Sequence, residues 1–433
     1  MSIKKSLIKN TGFNLVSYLY LLLASFFSIS ILLGNLGREV FGVYLFLGSF
    51  IPLAAVFDFG ISNAVVRRLS LPNISQEERI KTWKTSFSLF LWIGTVLSLV
   101  ILGILIYLTH TLSIFKIIDT QSLSWIVVFL TITVFVNHIN SHLLSLPQAE
   151  QRFDIFNSKT LLVGTANTIF SAILSTFYPN LAYIFLLQLI FHIFTLIYMG
   201  LYCSKIFSGR NFLPGYIKTE GKNLVGFGLK NFIGTLASQI EAQISKYFLG
   251  ITVSAQAITA FSIPQNIVAK GAGVVSQIAQ VFFPLGTSLL EKDRVRKLGR
   301  TVIIIQLLTL LGGVLAVILS FTIGKEFLLW WLKDTVVVET AFPVLKILSF
   351  YFVLTALTPI PSVLLQSLNK PQIPSFFAVL TVVTEIYFMF ALVPKYHAMG
   401  AAMATLIGSC FTVPIFLLLT WKIFQKEIVR LKA

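Results

Sequence analysis

The residues best placed to do chemistry are polar and charged side chains that recur at helical spacing inside long apolar stretches. Such stripes run through the stretches at 224–250 and 257–288. The first consists of Asn231, Thr235, Ser238, Glu241 and Ser245, flanked by Gln239 and Lys246. The second consists of Ser262, Asn266, Lys270, Gln277 and Gln280. Steps of three and four residues place each set on one helix face, which predicts that this face borders a bundle interior or water instead of lipid.

Three ionisable members of these stripes, Glu241, Lys246 and Lys270, indicate a functional position, because charge in mid-membrane is costly and rare. A structural ion pair between Glu241 and Lys246 is disfavoured, since five residues is a poor helical spacing for a contact. Each is therefore expected to have another partner. For the Asn, Gln and Ser members, hydrogen bonding between helices is the alternative to a functional role.

Two further acids lie within apolar stretches. Asp58 lies toward the end of the stretch at 41–65, where it is either a cavity acid or a partner of Arg67 or Arg68. Glu385 lies midway along the stretch at 373–394, where it is either a proton site or a buried, neutral carboxyl group.

Four other residues are weaker candidates. Arg38 follows the first stretch and either receives an anion or faces solvent, and Asn14 belongs to a mild polar stripe in that stretch. His138 and His142 stand four residues apart, the spacing of a metal-binding pair. No third ligand is evident in the sequence, so a hydrogen-bonded histidine pair is expected and no metal site is predicted.

The composition excludes a soluble protein and a disordered one. Apolar residues make up 56% of the 433 residues and charged residues 11%, against about 25% charged in soluble domains. No phosphate-binding loop, dinucleotide fingerprint, nucleophile elbow or zinc motif occurs, so no cofactor is expected. Any energy source would have to be an ion gradient such as that of H⁺ or Na⁺, the membrane potential or the substrate gradient.

The apolar stretches predict an all-α membrane protein with twelve spans. They lie at 11–33, 41–65, 86–109, 123–145, 157–177, 180–203, 224–250, 257–288, 301–323, 341–367, 373–394 and 399–421. Of the 33 basic residues, 25 fall at the two ends and in alternate connections, the bias that marks a cytoplasmic side. Both ends are therefore predicted to be cytoplasmic, and the net charge of +17 reflects topology and not a nucleic-acid partner.

A faint internal repeat predicts two six-helix lobes, 1–210 and 211–433. Leu33-Gly34 matches Leu249-Gly250, and Leu146–Ala149 matches Leu364–Ser367, both at offsets near half the chain. Because six is even, the lobes keep one orientation. They would be related by a pseudo-two-fold axis along the membrane normal, with a central cavity between them.

Several short motifs together resemble the O-antigen or polysaccharide-repeat flippases of the multidrug/oligosaccharidyl-lipid/polysaccharide exporter superfamily. They are 10–14, Leu33–Tyr44, Asp58–Ile61 before Arg67, Gln148–Asp154 and Met399–Thr405, and the likeness covers nearly the whole chain. Many relatives carry an acid just before a basic residue on the seventh helix. Here Ser245 precedes Lys246 and Glu241 lies one turn earlier, a departure from that pattern.

The resemblance implies transport of undecaprenyl-pyrophosphate-linked oligosaccharide from the cytoplasmic to the periplasmic leaflet of a bacterial inner membrane by alternating access. For such a substrate we expect phosphate attraction from Lys270 and Lys246, an outer contact from Arg38, and coupling or cavity roles for Glu241, Asp58 and Glu385. The other substrate-binding candidates are the amide side chains of Asn14, Asn231, Gln239, Asn266 and Gln277. Membrane lipids and other polysaccharide-assembly proteins are the expected partners of a monomer.

Two alternatives to this function stay open at the level of the sequence. A multidrug or cation antiporter of the same superfamily would favour acids in the cavity, which the two lysine-bearing stripes oppose. A polysaccharide polymerase, an enzyme, usually carries a large outer loop with basic residues, whereas the predicted outer loops are short.

Overall fold

Helices form all the regular structure of the described residues, with no strand among them. The computed structural model describes residues 3–207, 209–280, 292–368 and 370–432; side chains at 1–15, 210, 230–231, 280–301 and 427–433 are not among those described. The chain forms two compact units, Met1–Leu236 (unit 1) and Ala237–Ala433 (unit 2). The lobe boundary at 210/211 stays a prediction.

Unit 1 holds eight helices in its described residues and the start of a ninth. They are α1 (Ile3–Gly48), α2 (Phe50–Val56), α3 (Ile61–Leu69), α4 (Gln76–Thr111), α5 (Thr120–Ala149), α6 (Phe153–Thr165), α7 (Ser171–Phe177), α8 (Leu181–Ile206) and α9 (Lys218–Thr252). A π-helical turn, Ala166–Phe170, joins α6 to α7. The closest packing in this unit is of α5 against α8 and α4.

Local sequence explains where several of these helices begin and break. The helix α1 is interrupted at Gly37, whose φ of 75° and ψ of 160° suit a residue without a Cβ. At the start of α4, the Ser75 hydroxyl accepts from the Glu78 N–H while the Glu78 carboxylate accepts from the Ser75 N–H. This reciprocal cap satisfies two backbone donors that the first turn leaves free. Asp119 caps α5 through a single hydrogen bond, in which its Oδ1 accepts from the Ser122 N–H at 2.7 Å.

Unit 2 holds the rest of α9 and six further helices in its described residues. They are α10 (Ala255–Gln280), α11 (Lys292–Thr322), α12 (Gly324–Leu332), α13 (Thr335–Ala356), α14 (Pro359–Ser367) and α15 (Gln372–Lys432). The helix α13 is central, because α10, α11 and α15 all pack against it. The long helix α15 is interrupted at His397, with a φ of 51° and a ψ of −125°.

The described helices are apolar on the outside as well as in the core, as expected of a protein surrounded by lipid. Trp92, Phe177 and Tyr387 are 74%, 72% and 71% exposed. Eight described segments are long and apolar enough to cross a bilayer: Val16–Val56, Gln76–Thr111, Thr120–Ala149, Phe153–Phe177, Leu181–Ile206, Val302–Thr322, Thr335–Ser367 and Gln372–Lys426. The chain is therefore an integral membrane protein, and the predicted all-α membrane fold is confirmed.

The number of spans stays a prediction. Two of the eight segments contain the breaks at Gly37 and His397, so neither is one continuous helix. Neither α9 nor α10 is among the eight. These are the helices that carry the two polar stripes.

Candidate functional site

Two acids and three hydroxyl groups form a cluster inside unit 2. The Tyr351 hydroxyl on α13 donates to Glu241 Oε1 on α9 at 3.1 Å. On α15, the Thr405 hydroxyl donates to Glu385 Oε1 at 2.6 Å. The Ser245 hydroxyl on α9 donates to the same Glu385 oxygen at 3.4 Å. The cluster thus joins α9, α13 and α15, and its two carboxyl groups are close enough to interact electrostatically.

Glu385 is fully buried and only half satisfied. Its side chain is 0% exposed, and its Oε2 has no hydrogen-bond partner among the described residues. A buried carboxylate without a compensating donor is expensive, so this oxygen favours a proton or a bound cation over an uncompensated charge. The two halves of α15 pack closely beside Glu385, since a Cβ added at Gly408 would lie only 3.4 Å from the Glu385 Cβ.

Sequence reasoning singled out Glu241 and Glu385 separately but did not bring them together. It missed Tyr351 and gave Thr405 no role of its own. A usable signal for Tyr351 was its hydroxyl in an otherwise apolar run, since a buried tyrosine hydroxyl usually finds a partner. No comparable signal identified Thr405, because threonine is common in membrane helices.

Lys246 lies on α9 but does not pair with Glu241. It is half-buried, and its Nζ donates to Gln243 Oε1 at 2.9 Å. No ion pair within 4.0 Å involves Lys246 in the described part of the chain. Both ionisable residues therefore have other partners, as their spacing predicted. The partner of Lys246 among the described residues is thus an amide and not an acid.

The polar stripe of α10 lies beside α9. Gln265 Nε2 donates to the Ala242 carbonyl at 3.2 Å, which fastens the two helices together. On the other side, Gly271 lets α10 approach α13, because a Cβ there would lie 2.9 Å from the Phe352 ring. The stripe residues Asn266, Lys270 and Gln277 are all half-buried. They are thus partly accessible to a ligand.

The remaining substrate-binding candidates are more scattered. Gln239 on α9 is half-buried, and Arg38 is half-buried just after the break at Gly37. The side chains of Asn14 and Asn231 lie outside the described residues. The roles of all these residues stay predictions.

Asp58 acts as a local cap. It lies in the turn between α2 and α3, where its Oδ1 accepts from the Gly60 N–H at 2.7 Å and its Oδ2 accepts from the Ser62 N–H and hydroxyl. The alternative pairing with arginine is wrong. Arg67 lies over the Phe227 ring, and Arg68 pairs with Glu78 and Glu220.

The expected hydrogen-bonded pair of His138 and His142 is also wrong. Both rings are buried, and their nitrogens have no hydrogen-bond partner among the described residues. They pack against aromatic rings instead: His142 lies 4.3 Å from Trp83 and His138 lies 4.9 Å from Phe90, between ring centres. Among the described residues, no group of three potential ligands could hold a metal ion.

Comparisons with known proteins place the chain in a family. A family described as "Polysaccharide biosynthesis protein" matches residues 7–290. A Shigella flexneri protein named "Putative O-antigen transporter" is 25% identical over 408 residues, which cover 92% of this chain and 94% of that protein.

Solved structures share the fold. An inward-facing multidrug resistance MATE family transporter of the MOP superfamily has a TM-score of 0.71 at 15% identity, over 98% of this chain and 95% of that one. The lipid II flippase MurJ, in an inward closed conformation, has a TM-score of 0.68 at 14% identity, over 99% and 89%. The family match covers more than half of the chain and confirms the resemblance seen in the motifs. The chain belongs to the polysaccharide biosynthesis protein family.

Proposed function

We propose that the chain is a flippase for lipid-linked oligosaccharide. Its substrate would be an undecaprenyl-pyrophosphate-linked repeat unit, which it would move from the cytoplasmic to the periplasmic leaflet of the bacterial inner membrane. The membership of the polysaccharide biosynthesis family and the named transport role of the Shigella flexneri relative support this assignment. The polymerase alternative lacks such support, because that relative is named a transporter.

The observation that carries the proposal is the chemistry of the two lysine-bearing helices. Lys246 is held by an amide and not an acid, and Lys270 lies on the adjacent helix with half-buried amides on its face. A pyrophosphate must cross a region of low dielectric, where attraction to a cation is stronger than in water. The amide side chains suit hydrogen bonding to sugar hydroxyls. A cationic drug would instead be repelled by these lysines.

The architecture that suits this task is the one predicted from the sequence. Twelve spans would form two six-helix lobes about a pseudo-two-fold axis, with a central cavity that opens to either leaflet in turn. Both chain ends would be cytoplasmic. The protein would act as a monomer, and its basic cytoplasmic connections would offer a surface to other polysaccharide-assembly proteins.

The acid cluster is the proposed coupling site. Glu241, Glu385 and their hydroxyl partners supply only oxygen atoms, which suit a proton or a hard cation such as Na⁺. Binding would neutralise the buried carboxyl groups, and release would leave an uncompensated charge. An H⁺ or Na⁺ gradient can thereby act on α9, the helix that also carries Lys246.

The decisive experiment measures where lipid-linked repeats reside in a deletion strain. We expect repeats to accumulate on the cytoplasmic leaflet and surface polysaccharide to disappear. The wild-type gene should restore the normal leaflet distribution of repeats and the surface polysaccharide. The Lys270→Ala variant should reach the membrane in normal amounts but restore neither. Lys205→Ala, at an exposed lysine of α8, is the matched control and should restore transport. Normal leaflet distribution in the deletion strain, with increased sensitivity to cationic drugs, would establish the antiporter instead.

A further inference from the structure

Unit 1 contains a lysine, Lys159, within the span predicted at 157–177. The connection between α5 and α6 comprises only residues 150–152, so Lys159 falls within α6. At 1.5 Å per residue, its Cα lies about 9 Å beyond the first residue of that helix, Phe153. The segment Phe153–Phe177 is one of the eight that can cross a bilayer.

The Lys159 side chain extends into the span and away from the nearest surface. Its Nζ donates to Asn137 Oδ1 on α5 at 3.4 Å. Asn137 lies twelve residues, about 18 Å of helix, before the end of α5 at Ala149. Since α5 and α6 meet at the short connection, the ammonium group lies deeper than its own Cα. A lysine near a helix end ordinarily snorkels toward the interface, so this direction calls for another explanation.

Among the described residues, no acid pairs with this ammonium group, since no ion pair within 4.0 Å involves Lys159. Lys159 and Asn137 are both half-buried. The amide nitrogen of Asn137 has no acceptor among the described residues, which leaves it free to donate to a ligand alongside Lys159.

Two buried polar side chains near Asn137, Asn140 on α5 and His192 on α8, have atoms without a hydrogen-bond partner among the described residues. Asn140, one turn from Asn137 on α5, is fully buried and donates to the His192 carbonyl at 3.0 Å and to the Thr195 hydroxyl at 3.3 Å. The His192 ring is 2% exposed and lies within the electrostatic influence of Lys159. Its nitrogens have no partner among the described residues. A neutral imidazole always carries one N–H, so a second unmatched donor lies near the lysine.

We infer that Lys159 and Asn137 form an anion-binding position in unit 1 for a lipid-borne phosphate, namely the diphosphate of the transported lipid. The inference rests on the proposed function and adds to it a contact in the unit that carries neither Lys246 nor Lys270. An anion would neutralise the isolated ammonium group and accept from the Asn137 amide. Unit 1 would thereby hold the head group through its own cation.

Binding of undecaprenyl diphosphate to the purified full-length protein tests the inference, for example by native mass spectrometry. We expect Lys159→Met to weaken binding at least tenfold, Lys159→Arg to stay within about threefold of wild type, and Lys205→Met to have no effect. Inorganic pyrophosphate should follow the same order at lower affinity. Melting temperatures report whether each variant is folded. If Lys159→Met is unstable, Asn137→Leu keeps the lysine and should still weaken binding severalfold.

The outcomes separate the inference from the proposed function. Wild-type affinity in folded Lys159→Met would overturn the inference and leave the flippase assignment intact. If the wild-type protein does not bind undecaprenyl diphosphate but binds phosphatidylglycerol in a Lys159-dependent manner, the position recognises a bulk anionic lipid. That result would overturn the assignment to transported substrate and count against the proposed function as well.

Discussion

The contact between the turn at Asp58 and α9 gives a sharp stability prediction for unit 1. Gly60, in this turn, has a φ of 72°, and α9 passes close to it at Gly228. A Cβ added at Gly228 would lie 2.8 Å from the Gly60 carbonyl carbon and closer still to the Phe59 carbonyl oxygen. Real Cβ atoms do not approach backbone so closely, so Gly228→Ala must push α9 away from the turn. Gly226 offers the matched control, since a Cβ there would meet nothing within 4 Å.

The magnitude follows from the groups that must move. Overpacking of a close contact costs about 1–3 kcal/mol. Separation of α9 from the turn also weakens the Phe59–Phe232 ring contact, 4.8 Å between centres, worth about 0.5–1.5 kcal/mol beyond its burial. Alanine returns about 1 kcal/mol of helix propensity in either variant. Gly228→Ala should therefore destabilise unit 1 by about 2 kcal/mol, whereas Gly226→Ala should be neutral or stabilise by up to about 1 kcal/mol.

Equilibrium unfolding in mixed micelles of sodium dodecyl sulfate and dodecyl maltoside would measure both variants. Tryptophan fluorescence is a suitable probe, because Trp83 is buried in the core of unit 1 and donates to the Phe212 carbonyl at 3.2 Å. Equal free energies of unfolding for Gly228→Ala and Gly226→Ala would refute the close contact. A loss in Gly228→Ala that Gly60→Ala does not share would also contradict it, since both glycines form the same contact.

Three further outcomes are expected. Glu385→Gln keeps an acceptor for the Thr405 hydroxyl but cannot exchange a proton. The variant should therefore fold normally and flip repeats without the wild-type dependence of the rate on pH or Na⁺. An unchanged dependence in vesicle assays would exclude Glu385 from coupling. Lys246→Met should lower the flipping rate at least tenfold while Lys246→Arg retains most of it, and equal rates would exclude a role for the charge. The Ser122 N–H lowers the pKa of Asp119, so the stabilisation by this cap is full above the ordinary pKa of about 4 and is lost as pH falls through the lowered value. Melting temperatures of wild type and Asp119→Ala should therefore differ at pH 6 and converge near pH 3; a constant difference would contradict the cap.

The membrane fold was predictable because the lipid environment imposes a strong pattern on the sequence. A long apolar run must become a helix in a bilayer, where each backbone group needs an internal partner. The predicted span at 86–109 accordingly lies within α4, and that at 123–145 lies within α5. Helix ends were less predictable. The span predicted at 157–177 begins four residues later than α6, because the chain turns in only three residues after α5 and returns at once to helix at Phe153.

The candidate site was predictable only one residue at a time. Helical spacing identified Glu241 and Lys246 because both lie on one element. It could not show that Tyr351 and Glu385 approach α9, since these residues come from helices 110 and 140 or more positions away and the pairing depends on packing. Asp58 shows a different limit. The sequence offered nearby arginines as partners. The left-handed conformation of Gly60 instead turns backbone N–H groups toward the Asp58 carboxylate, so Asp58 forms local hydrogen bonds and no ion pair with either arginine.

One helix connects the features that matter most for the proposed mechanism. The N-terminal part of α9 belongs to unit 1, where Glu220 accepts from the Thr82 hydroxyl at 2.6 Å and Gly228 lies against the turn at Gly60. The C-terminal part belongs to unit 2 and carries Glu241 and Lys246. Because α9 is a single element from Lys218 to Thr252, the cation binding proposed at Glu241 would act on a helix whose first part packs within unit 1. A weaker contact between Gly228 and the turn at Gly60 should therefore reduce the coupling of cation binding to transport, even where the acid cluster is unaltered.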